Sequence, residues 1–221
     1  AYFGAARLEK LRRLALSSAR RGTLRGNVVV LHGTTGGELT VYPPNQPNQH
    51  IWLNLPRVAI GALGWLGVTP ELKSKFDVRA TGIFKKGYSE MLLSLAADRW
   101  NTQAFWYDWR LDFADIADAL RAQVDRWFGP SSAVNLVAHS MGGLVSRTYI
   151  LRHPDRWAKG GHLVMLGTPN HGSFAIPQLI TGALDIVRKL AILDVTHSRR
   201  QLLGVLNTFP SSIQMLPSLL V

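Results

Sequence analysis

One short stretch of the sequence carries a residue pattern typical of a catalytic serine. Residues 138–142 read Ala-His-Ser-Met-Gly, a form of the G-x-S-x-G motif with alanine at the first glycine position. In that motif the serine lies at a sharp strand-to-helix turn, and small neighbours leave room for the strained backbone. The pattern makes Ser140 the candidate nucleophile of an acyl-transfer reaction. The alternative is a simple helix N-cap, because serine is also favoured at helix starts.

A glycine-rich turn upstream predicts a second part of the same chemistry. The apolar run 28–31 leads into His-Gly-Thr-Thr-Gly-Gly at residues 32–37. Such a turn could cradle a phosphate, but the lysine of a P-loop is missing. In serine hydrolases this kind of turn supplies one backbone N–H to the oxyanion, and the residue after the nucleophile supplies another. We therefore expect the N–H groups of Thr34 and Met141 to form an oxyanion hole.

Alternating strands and helices are predicted to position these residues. Several strands are continuous apolar runs, which indicates burial on both faces of a parallel sheet. The sequence therefore predicts an α/β fold, with a mostly parallel sheet and helices on both faces. Both glycine turns follow strands at their carboxyl ends, where open α/β sheets place their sites. The predicted strands are 27–31, 76–83, 104–107, 134–139 and 162–166, and the predicted helices are 5–20, 88–100, 113–127 and one that follows Ser140 and includes 144–151. For residues 176–193 and 201–206 the pattern predicts helical or irregular structure.

Two segments between the glycine turn and the second predicted strand are harder to assign. Residues 40–50 contain three prolines and several amides, which predicts an irregular loop. Residues 51–68 are apolar, and we expect helical or re-entrant structure near the mouth of the site. Their tryptophans, Trp52 and Trp65, are explained by core packing, with contact to an acyl chain as the alternative.

Composition fits a folded domain with one sizeable core. The 221 residues are 47% hydrophobic and 18% charged, which excludes a disordered chain. The absence of cysteine excludes disulfides and cysteine-ligated metals. No apolar run is long enough for a transmembrane helix.

The formal net charge of +11 is concentrated at the beginning of the chain. Residues 1–26 hold seven arginines and lysines, among them Arg20 and Arg21, against Glu9 alone. We divide the chain into a basic helical lead-in, residues 1–25, and a core, residues 26–221. Few aromatic residues accompany these cations, which disfavours nucleic-acid binding. A solvated helix face is the simpler interpretation, and contact with a membrane surface is the alternative.

Five motifs resemble those of the lecithin:cholesterol acyltransferase-like lipases, within the α/β-hydrolase superfamily. The resemblance covers roughly residues 26–218, and its most specific element is the Tyr-Asp-Trp-Arg stretch. The glycine–serine turn before the helices and the Leu-Pro-Ser tail also resemble family motifs. The motifs are Ile51–Leu55, Tyr107–Arg110, His139–Val145, Gly167–Ser173 and Met215–Ser218.

The resemblance implies a serine-dependent hydrolase or acyltransferase acting on lipid esters, with no metal or organic cofactor. Water as acyl acceptor would make it a lipase or phospholipase, and an alcohol would make it an O-acyltransferase. Two alternatives remain open. One is an esterase or thioesterase, or a lipase module of a larger multidomain protein. The other is a hydrolase-like binding module with an incomplete catalytic triad.

The acid and the histidine of a catalytic triad have no clear position in this sequence. In this fold they follow the nucleophile on later strands, in the order Ser, Asp or Glu, His. No further strand is evident before Val221, so we expect a core incomplete at its C-terminus and an acid and base outside this sequence, in a longer polypeptide. Within the chain, Asp194 and His197 have the correct order and form the alternative pair.

Overall fold

The computed structural model describes residues 2–19, 22–71 and 73–218, which form two compact units. The first consists of Ala1–Gly36, Ile83–Trp106 and Ala117–Thr168, and the second of Gly37–Gly82, Tyr107–Ile116 and Pro169–Val221. The predicted helix 5–20, the basic lead-in 1–25 and the core 26–221 include Arg20, Arg21 or Val221, and these three residues lie outside the described residues. None of the helices in the described part of the chain is both long and apolar enough to cross a membrane.

Strands and helices alternate along most of the chain. The strands are β1 (Gly26–Leu31), β2 (Gly37–Val41), β3 (Gln49–Trp52), β4 (Val78–Ile83), β5 (Trp100–Phe105), β6 (Val134–His139) and β7 (Leu163–Leu166). The helices are α1 (Ala5–Ser18), α2 (Leu55–Ala59), α3 (Lys85–Ala97), α4 (Phe113–Phe128), α5 (Met141–Arg152), α6 (Pro154–Trp157), α7 (Ala175–Ile180), α8 (Asp185–Leu193), α9 (Arg199–Leu206) and α10 (Pro210–Gln214), with a 3-10 helix at Ala62–Leu66.

The first unit contains the predicted parallel sheet, with strand order β5-β1-β6-β7. β1 pairs in parallel with β5 on one side and β6 on the other. Its residues from Val28 to Leu31 are at most 2% exposed, as expected for a central strand whose two faces are both covered. The apolar run in the sequence therefore has its explanation in this central position.

The crossover helices lie against this sheet. α3 packs on β5, and α5 packs on β6 and β7. The chain moves from β1 outward to β5 through α3, and from β6 outward to β7 on the other side through α5. Because parallel crossovers are right-handed, opposite directions of travel place α3 and α5 on opposite faces. The predicted parallel sheet flanked by helices is confirmed.

Two predicted boundaries in this unit are wrong for local reasons. α3 ends at Ala97 rather than at residue 100, because Arg99 takes a left-handed φ of 67° and turns the chain into the next strand. Trp100 then pairs with Gly26 and begins β5, four residues before the predicted start of that strand.

The strand β7 was expected to be buried, yet it lies at the edge of the sheet and exposes Val164, Met165 and Leu166.

Two aspartates of α4, Asp118 and Asp125, take part in ion pairs. Asp118 accepts hydrogen bonds from Arg152, at 2.7 Å, and from His153, at 2.9 Å. Asp125 binds the buried guanidinium of Arg156 at 2.7 Å. These contacts hold α4 beside the segment that ends α5 and forms α6.

A second sheet in the second unit corrects the prediction for residues 40–50. β2 lies between β3 and β4, and β2 pairs with β3 in antiparallel register, with Thr40 opposite His50. Only residues 42–48 form an irregular connection. The three prolines lie in that connection, where their missing N–H groups remove no hydrogen bond between strands. They are therefore compatible with a strand on either side. β4 belongs to this sheet and not to the parallel one.

Trp109 organises the interior of the second unit. Its ring contacts Trp52 and Phe209 edge-on, with ring centroids 5.5 Å and 5.7 Å away, and its indole N–H donates to the carbonyl of Gly37. Trp52, which is partly buried, therefore packs against the core. The expected helical structure within 51–68 is confirmed as α2 and the short 3-10 helix.

The buried pair of Asp108 and Arg110 completes this interior. Arg110 has no exposed surface, and its guanidinium binds Asp108, the carbonyl of Leu66 and the hydroxyl of Ser74. The hydroxyl of Ser211 donates to the carbonyl of Trp109 at 2.7 Å. The Tyr-Asp-Trp-Arg stretch thus connects three separate segments of the second unit.

Candidate active site

Ser140 stands between the end of β6 and the start of α5. Its backbone has φ 53° and ψ −124°, a combination that L-residues rarely adopt. Its N–H donates to the carbonyl of Leu166 on the neighbouring strand at 2.8 Å, which holds the turn to the sheet. This is the strained strand-to-helix geometry that the motif predicts for a nucleophile.

The small residues around Ser140 are required by close backbone approach. A methyl group on Gly142 would lie 2.6 Å from the carbonyl oxygen of His32 and 3.0 Å from Cβ of Leu31. A methyl group on Gly143 would lie 2.0 Å from the hydroxyl oxygen of Thr168. Ala138 is fully buried. The first turn of α5 therefore packs directly on the turn after β1.

The structure places Thr34 and Met141 beside the candidate nucleophile. A methyl group on Gly33 would stand 2.8 Å from Cβ of Ser140, so the glycine turn passes directly over the serine. The hydroxyl of Thr34 lies 3.4 Å from the sulfur of Met141. The two residues predicted to supply oxyanion donors are therefore neighbours in the first unit.

Tyr88 joins the two segments that carry these residues, and it was missed in the sequence. Its hydroxyl receives the N–H of Gly33 at 2.9 Å and lies 2.8 Å from Nδ1 of His139. Burial raises the pKa of Tyr88, against the smaller opposite effect of the Gly33 hydrogen bond. Nothing in its local sequence signals this role, because its partners lie 55 and 51 residues away.

Asp194 and His197 form a hydrogen-bonded pair in the second unit. Nδ1 of His197 lies 2.9 Å from Oδ2 of Asp194, and the carboxylate also receives the N–H and hydroxyl of Thr196. Burial alone would raise the pKa of Asp194, but the hydrogen bonds from Thr196 and then His197 bring it below its usual range. His197 lines a cleft of about 530 Å³ that also includes Lys75 and Gln201.

Three other acidic or imidazole side chains downstream of Ser140 have structural partners. His153 binds Asp118, and His162 lies 3.1 Å from the side-chain oxygen of Asn135. Asp155 pairs with Arg121 at 3.2 Å. In the described part of the chain, no group of three or more His, Asp or Glu residues is arranged to hold a metal ion.

Comparison with known proteins assigns the chain to a family. A family model described as lecithin:cholesterol acyltransferase matches residues 41–220, a range that includes Ser140 and begins after Thr34. No protein with a curated description matches. A crystal structure of the Bacillus licheniformis lipase BlEst2 in mature form is 15% identical with a TM-score of 0.42, and the match covers 89% of this chain and 65% of that one. Because the family model covers most of its length, the chain belongs to the lecithin:cholesterol acyltransferase family.

Proposed function

We propose that this chain is a serine-dependent hydrolase or acyltransferase of lipid esters, with Ser140 as its nucleophile. The strained turn at Ser140, directly beneath the Gly33 backbone, is the observation that carries the proposal. A serine that merely capped a helix would need no such backbone, and here its side chain makes no capping hydrogen bond. Strain of about 1–3 kcal/mol is retained where function requires it.

The reaction follows from this arrangement in two steps. Oγ of Ser140 loses its proton to a base and bonds to the ester carbonyl carbon, while the N–H groups of Thr34 and Met141 hold the developing oxyanion. The bond to the alkoxy group then breaks, and that group leaves as an alcohol with the proton from the base. The base next takes a proton from water or a second alcohol, whose oxygen bonds to the acyl carbon. The bond from that carbon to Oγ of Ser140 breaks, Oγ takes the proton back from the base, and the product is either a free acid or a new ester.

The base that takes the proton of Ser140 has two candidate sources. Asp194 and His197 have the required contact, because a carboxylate on Nδ1 leaves Nε2 to accept a proton. However, four hydrogen bonds to Asp194 also explain that pair as a structural feature of its turn. We favour an acid and histidine supplied by sequence outside residues 1–221, as the family's order of triad residues implies.

Family membership and the character of one surface support a lipid substrate. The second unit carries a cleft of about 570 Å³, lined in part by Tyr42, Trp65 and Phe76. Aromatic walls of this kind suit an acyl chain.

Helix α1 exposes Leu8 and Leu16 beside basic residues, and we propose that this helix contacts an anionic membrane surface. Co-sedimentation with anionic and with zwitterionic vesicles tests that contact.

A fluorophosphonate probe tests the nucleophile without knowledge of the natural substrate. We expect labelling at Ser140, located by peptide mass spectrometry, and no labelling of Ser140→Ala. The comparison uses residues 1–221 and, where the natural polypeptide is longer, that polypeptide. If both forms are labelled and His197→Gln abolishes this labelling, His197 is the base. If only the longer form is labelled, the base lies outside residues 1–221. Labelling of neither form refutes the enzyme and favours a binding module.

A further inference from the structure

The hydroxyl of Tyr88 makes two hydrogen bonds, one to the backbone of Gly33 and one to the ring of His139. The N–H of Gly33 can only donate, so the Tyr88 oxygen accepts there, at 2.9 Å. The hydroxyl proton is then available to Nδ1 of His139, 2.8 Å away. Nδ1 accepts this proton in the tautomer of His139 that carries its own proton on Nε2.

The two partners of Tyr88 belong to the two halves of the expected oxyanion hole. Gly33 directly precedes Thr34, and His139 is separated from Met141 only by Ser140. The separation of these two backbone segments sets the distance between the two donor N–H groups. Tyr88 therefore connects the two segments that carry the N–H groups of Thr34 and Met141, and an oxyanion hole requires a constant distance between these two groups.

The tyrosine itself is held firmly. Tyr88 is 7% exposed and packs in an apolar cluster with Val30 and Ile83. It lies in the first turn of α3, whose next turns add Met91 and Leu92 to the same cluster. Because burial raises the pKa of Tyr88, its hydroxyl remains a proton donor throughout the neutral range.

We propose that Tyr88 is a positioning residue that sets the geometry of the oxyanion hole through Gly33 and His139. The proposal rests on the proposed role of Ser140. It adds a residue of α3, a helix that is separated from Ser140 along the chain by the strands β5 and β6. Tyr88 does not touch the reacting atoms. It acts by fixing where the Thr34 N–H stands relative to Ser140.

Tyr88→Phe removes the hydroxyl and keeps the buried ring, and Tyr149→Phe is its control. Tyr149 is 2% exposed in the same unit, and its hydroxyl lies near the Asp125–Arg156 ion pair rather than near the glycine turn. We expect Tyr88→Phe to react with the fluorophosphonate about 10- to 100-fold more slowly, because small displacements of a catalytic group have effects of this size. On a p-nitrophenyl butyrate substrate, kcat should fall while KM stays within about twofold.

Amide hydrogen exchange provides a readout that does not depend on activity. Exchange in peptides covering residues 31–37 should rise in Tyr88→Phe and remain unchanged in Tyr149→Phe. Equal labelling rates and equal exchange in wild type and Tyr88→Phe would overturn the proposal. If wild type is not labelled, the proposed function fails, and the exchange data still decide whether Tyr88 holds the turn.

A double-mutant cycle separates the two contacts of the hydroxyl. If the His139 contact contributes, His139→Ala slows labelling in the wild-type background and has little further effect in Tyr88→Phe. Additive effects of the two substitutions would show that the hydroxyl does not act through His139. The Gly33 contact alone would then have to account for the whole effect of Tyr88→Phe.

Discussion

Nδ1 of His197 lies 2.9 Å from Oδ2 of Asp194, so a buried carboxylate and a partly exposed imidazole form one hydrogen-bonded pair. The residues are three apart, and the same carboxylate also accepts the backbone N–H of His197. Two glycines make room for this turn. A Cβ on Gly61 would lie 2.1 Å from the hydroxyl oxygen of Thr196, and a Cβ on Gly64 would lie 2.9 Å from Nε2 of His197. The turn is therefore packed tightly, whether or not its imidazole carries protons in the reaction.

Replacing Asp194 by asparagine should lower stability in a pH-dependent way. The pKa of Asp194 is lowered in the fold, so its contribution is complete above the ordinary value of 3.8 and is lost as pH falls through the folded pKa. We expect Asp194→Asn to cost about 1–3 kcal/mol at pH 7 and progressively less below about pH 4. Urea unfolding at several pH values measures this difference.

Asp185→Asn is the control for that experiment, because the side chain of Asp185 is 84% exposed. Its effect should be small at every pH. A cost of Asp194→Asn that did not change between pH 7 and pH 3 would contradict the assigned direction of the pKa shift.

Gly142→Ala should disrupt the turn that carries Ser140. The added methyl group would meet the backbone carbonyl of His32, which cannot move without displacing the end of β1. We expect loss of fluorophosphonate labelling and a clear drop in Tm. Gly204→Ala, in the interior of α9 with nothing within 4 Å of the new methyl group, should instead stabilise by about 0.5–1 kcal/mol. Equal behaviour of the two variants would show that the close contact at Gly142 is not a real constraint.

Arg110→Met should severely destabilise the second unit. It leaves the carboxylate of Asp108, which is 8% exposed, without its cation, and removal of one partner of a buried pair costs about 3–5 kcal/mol. The matched control is Arg79→Met, since Arg79 binds Asp77 with the same two-residue spacing on an exposed surface. Thermal unfolding should show a large loss for the first variant and little change for the second. A small effect of Arg110→Met would mean that the pair contributes no more than a surface ion pair.

Ser140→Gly should stabilise the protein while abolishing its reactivity. Glycine adopts a φ of 53° without the steric cost that serine bears, and this relief of strain exceeds the stability lost because glycine adds entropy to the unfolded chain. We expect a net gain of about 0.5–2 kcal/mol. Ser140→Ala, which retains a Cβ, should show no such gain. Equal stability of the two variants would indicate that the turn is not strained.

The sequence was most informative where the determinants are local. The Ser140 turn, the central strand β1 and the helix α4 were all predicted within a residue or two, because each is specified by neighbouring residues: small side chains, a continuous apolar run, or an apolar stripe at helical spacing. Thr34 lies beside Met141 because the carboxyl ends of adjacent parallel strands meet at one edge of the sheet, and the role of the two residues as oxyanion donors stays a prediction.

The failures concern relationships between distant segments. β2 and β3 were missed because their flanking prolines dominate the local composition, whereas the strands depend on pairing with each other and with β4. The exposure of β7 could not be read from its apolar residues, since burial depends on which strand follows in space. Tyr88 was missed for the same reason: its hydroxyl matters only because the fold brings Gly33 and His139 to it.

The exposed edge strand β7 has a practical consequence for handling the protein. Val164, Met165 and Leu166 present apolar side chains beside a row of backbone groups that no strand pairs within the described residues. An edge of this kind is a template for intermolecular strand pairing, and no lysine or proline interrupts it. Preparations of residues 1–221 will therefore be prone to aggregate as concentration rises, so kinetic measurements belong in the dilute range, after light scattering has established that the sample is monomeric.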